Sequence, residues 1–178
     1  NLPYMKTLCG MGVPMGLQYS ITAIGSVILQ SAVNTLGASA VASVTAAGRV
    51  SMFFCCPYDA MGSTMATYGG QNVGAKKPER LGLGIRACMK IAAVYSVMAL
   101  AILYFFGAQL ASLFVDTADS QLLADARLLL VVNSMFFIPL AVVNIVRFLI
   151  QGMGFGTVAI LAGVCEMVAR GIAGLILV

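Results

Sequence analysis

The sequence contains no histidine, which removes the usual proton shuttle and the commonest metal ligand. It is also poor in charge. Ten basic and six acidic residues make up 9% of the 178 positions, where soluble domains carry about 25%. So few charges cannot keep the surface of a soluble domain of this size wet and free of apolar patches. A soluble enzyme, a disordered chain and a nucleic-acid module are thereby excluded. Cys9, Cys55, Cys56, Cys88 and Cys165 lie in apolar runs with no CxxC spacing, as small core hydrophobes do. There is no Walker-type loop and no serine–base pair. Gly152-x-Gly154-x-Gly156 has no βαβ unit around it, so it reads as a turn and not as a dinucleotide loop. Neither catalytic residues nor a metal or cofactor site is expected.

What the chain does have is apolar length: 61% hydrophobic residues and a mean hydropathy of +1.00. No charge falls between Lys6 and Arg49, Lys90 and Asp116, Arg127 and Arg147, or Arg147 and Glu166. A membrane-spanning helix needs about 20 mainly apolar residues. Five stretches fit, at approximately 9–33, 38–68, 87–106, 122–150 and 157–178. The apolar runs are continuous, unlike the ten-residue alternation of a membrane β-barrel. The fold class is therefore an all-α polytopic membrane protein with the bilayer as its solvent. The second stretch is longer than the hydrocarbon core requires, and Pro57 is the expected place for it to bend. Gly69-Gly70 is expected to end it.

Charge also orients the chain. Lys6, Arg147 and the basic residues of loop 71–90 (Lys76, Lys77, Arg80, Arg86 and Lys90, against Glu79 alone) fall on one side after five crossings. The Asn34–Gly37 turn and the loop with Asp116 and Asp119 fall on the other. The positive-inside rule makes the basic loop cytoplasmic. After Pro78, apolar and basic residues interleave, as in a short interfacial helix or a solvated connector. The chain opens on Asn1 and closes on Val178 inside an apolar run with no signal-peptide pattern, and is expected to be a piece of a longer protein.

Ionisable groups at membrane depth cost about 2.5–3.5 kcal/mol each on insertion scales, so they face other helices or a wet cavity. Arg49, Asp59, Glu166 and Arg170 qualify. Arg49 and Asp59, with Gln18 following Pro14 in the first stretch, are candidates for a substrate-cavity wall. Their alternative role is internal pairing that only fixes helix packing. Glu166 and Arg170 have the i,i+4 spacing and order of an intrahelical ion pair. Asn133 and Asn144 add polar groups in the fourth stretch, suited to bonds across helix interfaces.

The run Ala66-Thr-Tyr-Gly-Gly-Gln-Asn-Val-Gly-Ala75, followed by Lys76-Lys77-x-x-Arg80, resembles the signature of the MATE family of multidrug and toxic compound extrusion transporters. Gly12-Val-Pro14-Met-Gly-Leu-Gln18 looks like the opening of that family's seventh helix. Thr45-Ala-Ala-Gly-Arg49 and Pro57-x-x-Ala-x-Gly62 resemble its eighth, and Gln151-Gly-Met-Gly154 its turn between the tenth and eleventh. The resemblance implies twelve helices in two six-helix lobes, with this chain forming most of the C-terminal lobe. It implies efflux of organic, often cationic, compounds in exchange for Na⁺ or H⁺, in a plasma membrane of bacterial type. The partners are the bilayer, small organic substrates and the absent N-terminal lobe. Some branches carry carboxylates where this chain has Thr22 and, near Leu140, no acid. The coupling cation is accordingly expected mainly in the absent lobe. Rival readings are a lipid-linked oligosaccharide flippase of related architecture and a non-transporting membrane scaffold.

Overall fold

The computed structural model describes residues 2–114 and 120–176, and among them every regular element is helical. The helices are α1 (Leu2–Asn34), α2 (Ala38–Gly74), α3 (Leu81–Ser112), α4 (Ser120–Met135), α5 (Phe137–Gly152) and α6 (Gly156–Ile176). A single 3-10 turn, Pro78–Arg80, leads into α3. Asp116 and Asp119 of the expected acidic loop lie outside the described residues.

The expected turns form where backbone chemistry demands them. Gly37 joins α1 to α2 at φ 99°, and Gly154 joins α5 to α6 at φ 100°, both in the region that glycine occupies without a Cβ penalty. Two expectations are corrected. First, α2 does not stop at Gly69-Gly70 but continues to Gly74. There the glycines admit α5: a Cβ on Gly69 would strike the Leu149 side chain, and one on Gly70 would lie 2.9 Å from the Gly152 carbonyl oxygen. Packing overrides the low helix propensity of glycine. Second, α3 begins at Leu81, so the region after Pro78 is neither a separate interfacial helix nor an open loop. α2 runs through Pro57 without interruption, and the Tyr95 hydroxyl of α3 donates to the neighbouring Phe54 carbonyl at 3.1 Å.

The break falls instead at Phe136, where α4 and α5 meet at 50°. Pro139 lacks the N–H that would close the helical bond to Met135, and its ring crowds that carbonyl. The Phe136 N–H turns to Asn133 O at 3.0 Å. Among the described residues, α2 and the stretch Pro78–Ser112 are long and apolar enough to cross a membrane, and α4 with α5 passes as one bent span.

Packing divides the bundle unevenly. α1 packs mainly on α6, while α2 packs on α5, α4 and α3, and α3 on α4. The core of the larger group is built on Tyr58, fully buried, whose ring meets Tyr95 and Phe137 edge-on with centroids 5.2 and 5.7 Å away. The Tyr58 hydroxyl is 2.7 Å from Ser96 Oγ, which satisfies the one polar atom this ring buries. Small residues let α2 and α5 approach closely: Gly62 lies under Phe148, and Gly152 lies against Ala66.

Candidate functional site

The spacing of α2 sorts its residues by face. Ser43, Ala46, Ala47, Val50, Phe54, Tyr58, Gly62, Met65 and Gly69 recur at helical intervals and are buried against the other helices. Thr45, Arg49, Met52, Cys56, Asp59 and Ser63 follow one another at alternating four- and three-residue steps, and every one is exposed. They form a single stripe carrying a cation, a carboxylate and two hydroxyls. Arg49 and Asp59 stand about 15 Å apart along it. Charges at this position in a spanning helix are not tolerated by lipid. The stripe therefore faces protein or water.

Arg49 lines an open groove of about 720 Å³, with Asn34, Val41, Thr45 and Phe114 among its other walls. Asp59 is exposed but tethered: Asn144 Nδ2 of α5 donates to its Oδ1 at 3.4 Å.

From Asn144 a polar chain runs inward. Arg147 Nη2 donates to Asn144 Oδ1 at 3.1 Å. Arg147 Nη1 forms an ion pair with Glu166 Oε2 of α6 at 3.5 Å, the side chains being 16% and 33% exposed. Gln151 Nε2 donates to Gln18 Oε1 of α1 at 2.6 Å. An amide can be turned end for end without changing its shape. In that orientation the Gln18 oxygen accepts from Arg147 Nη1 at 3.0 Å and from Nε at 3.2 Å. Turning Gln151 with it keeps the 2.6 Å link an N–H···O bond and brings in the Gln151 Oε1, otherwise buried without a partner. Asn144, Arg147 and Gln151 occupy one face of α5, and through them α1, α2 and α6 are joined.

The sequence-predicted residues thus part company. Arg49 and Asp59 share the exposed stripe. Gln18 is 3% exposed and sits in the α1–α5–α6 junction, away from the Arg49 groove. Glu166 pairs with Arg147 across helices, while the side chain of Arg170, its expected partner, lies outside the described residues. Sequence reasoning placed Arg147 simply among the charges of the basic side and Gln151 in a turn. The available signal was the 144, 147, 151 spacing, which puts three polar residues on one face of an otherwise apolar helix. Among the described residues no cluster of three metal-ligating side chains occurs.

Comparison with known proteins gives the family and the fold. The MatE family model matches residues 14–175 of the chain. A probable multidrug resistance protein, YoeA, of Bacillus subtilis (strain 168) is 24% identical over 124 residues, covering 70% of this chain and 27% of that protein. The crystal structure of MATE in complex with MaL6 has the same fold, with a TM-score of 0.84 and 22% identity over 98% of this chain and 40% of that one. The chain therefore spans well under half the length of both.

Proposed function

The chain belongs to the MatE family, and on that premise we propose that it forms most of the C-terminal six-helix lobe of a transporter exporting organic, often cationic, compounds. It is an integral membrane protein of all-α fold. The observation that carries the proposal is the exposed stripe of α2. Arg49 and Asp59 lie on an exposed face of α2 that lipid would reject. A second lobe facing that stripe encloses a wet cavity between two halves, and rocking of the halves opens it to each side in turn. The 40% coverage of the solved MATE chain leaves room for such a lobe.

In this reading Asp59 attracts cationic substrates, Arg49 limits which of them settle, and Met52 supplies an adaptable apolar contact between them. Entry of Na⁺ or H⁺ drives export. Thr22 and the region near Leu140 carry no acid, which supports a main coupling site in the other lobe. The basic end of the bundle, with Lys76, Lys77 and Arg80, faces the cytoplasm of a cell with a bacterial-type plasma membrane. Resistance of cells to toxic organic cations tests the proposal. Full-length protein confers it and the Asp59→Asn variant, expressed to the same level, loses it. Unchanged resistance would remove Asp59 from the transport path.

A further inference from the structure

A second open cavity lies between α2 and α3 at the basic end of the bundle. Its volume is about 510 Å³, and its walls include Pro57, Met61, Met65 and Tyr68 of α2 and Cys88 and Ile91 of α3. It is apolar and elongated: Pro57 to Tyr68 spans about 16 Å along the helix. At 3.6 residues per turn it opens roughly 130° around α2 from the Arg49–Asp59 stripe, so it is not part of the proposed transport cavity.

Charge meets this groove at one end. Gly84, Cys88 and Ile91 line the groove on α3, and Arg80 stands one turn before Gly84 on the same face. Tyr68 links the two. Its ring packs on Gly84, where a Cβ would collide with it, and its hydroxyl donates to the Arg80 carbonyl at 2.9 Å. The 3-10 turn carrying Arg80 is thereby held at the Tyr68 end of the groove, next to Lys77. Lys76, Lys77 and Arg80 are exposed and make no ion pair among the described residues. An apolar slot about 16 Å long, ending beside the turn that carries exposed Lys77 and Arg80, matches one chemistry. That chemistry is a hydrocarbon chain attached to a phosphate.

We propose that the α2–α3 groove binds one anionic phospholipid, with an acyl chain between Met61 and Ile91 and its phosphate on Lys77 and Arg80. Two features support a defined site over general attraction of basic residues to a charged surface. The slot is apolar along its walls, and Tyr68, one of those walls, bonds the backbone of Arg80. Arg86, two positions from Gly84, lies on another face of α3 and is outside the site.

The test uses the full-length protein in detergent, titrated with phosphatidylglycerol or with phosphatidylcholine of the same chains and read by native mass spectrometry. Wild-type protein is expected to retain phosphatidylglycerol at least tenfold better than phosphatidylcholine. Lys77→Gln with Arg80→Gln abolishes that preference, Thr64→Trp blocks the slot and lowers phosphatidylglycerol retention to a similar degree, and Arg86→Gln changes neither. Thermal unfolding of each variant confirms that it is folded. Retention untouched by Thr64→Trp, or reduced as much by Arg86→Gln as by the double variant, overturns the site in favour of diffuse surface charge. No retention by the wild type also overturns it, and points to a helix of the longer chain filling the groove.

Discussion

Gly152→Ala adds one methyl group where α5 meets the backbone of α2. A Cβ at this position would lie 2.6 Å from the Cα and carbonyl carbon of Ala66, and nearer still to its oxygen. Favourable carbon contacts are about 3.5–4.0 Å, so α5 must withdraw from α2 by about 1 Å. The obstacle is backbone, which cannot swing aside as a side chain would. Overpacking of this kind costs about 1–3 kcal/mol, against up to about 1 kcal/mol gained from the better helix propensity of alanine. A net loss of about 1 kcal/mol corresponds to about 2–4 °C in the unfolding midpoint of a unit this size. The same withdrawal parts Asn144 from Asp59, whose 3.4 Å bond has no slack, so transport falls along with stability. Gly48→Ala is the matched control, since a Cβ there meets nothing within 4 Å. Thermal unfolding of the full-length protein in detergent reads both. Equal midpoints for the two variants would refute the close-packing argument.

Three further outcomes follow. Glu166→Gln removes the charge that holds Arg147 from α6, and a partly exposed pair of this kind is worth about 1 kcal/mol, so the midpoint drops by a few degrees. Arg147→Gln costs more, because Arg147 also serves Asn144 and the turned Gln18 amide; an equal or smaller loss would contradict the network. A cysteine at Lys77 in the full-length protein is expected to react with a membrane-impermeant thiol reagent only after cells are permeabilised, and reaction in intact cells reverses the proposed orientation.

Part of the helix layout was readable because lipid punishes charge: the charge-free gaps cover most of α1, much of α3 and the bend between α4 and α5. What could not be read was the outcome of contacts between helices. Gly69-Gly70 looks like a stop in sequence, yet it is a slot for α5. Pro57 and Pro139 look alike in sequence. One sits beside a carbonyl bonded by Tyr95, and the other lies at a 50° break. At the candidate site, Arg49 and Asp59 could be identified individually because an ionisable group at membrane depth is conspicuous. Their common stripe emerges once the opposite face of α2 is known to be buried. The Gln18–Gln151 bond joins residues 133 positions apart, and no local spacing encodes it. Glu166 had a plausible partner one turn away, so the cross-helix pair with Arg147 had no signature of its own.

The proposed export rests on the α2 stripe as a wall of the transport cavity. The most direct test is uptake of a fluorescent organic cation by proteoliposomes holding the full-length protein, driven by an imposed Na⁺ or H⁺ gradient. Gradient-dependent transport by the wild type, lost in Asp59→Asn and altered in substrate preference by Arg49→Ala, is the predicted result. Transport at the wild-type rate, with unchanged preference, in a variant carrying both substitutions would contradict it.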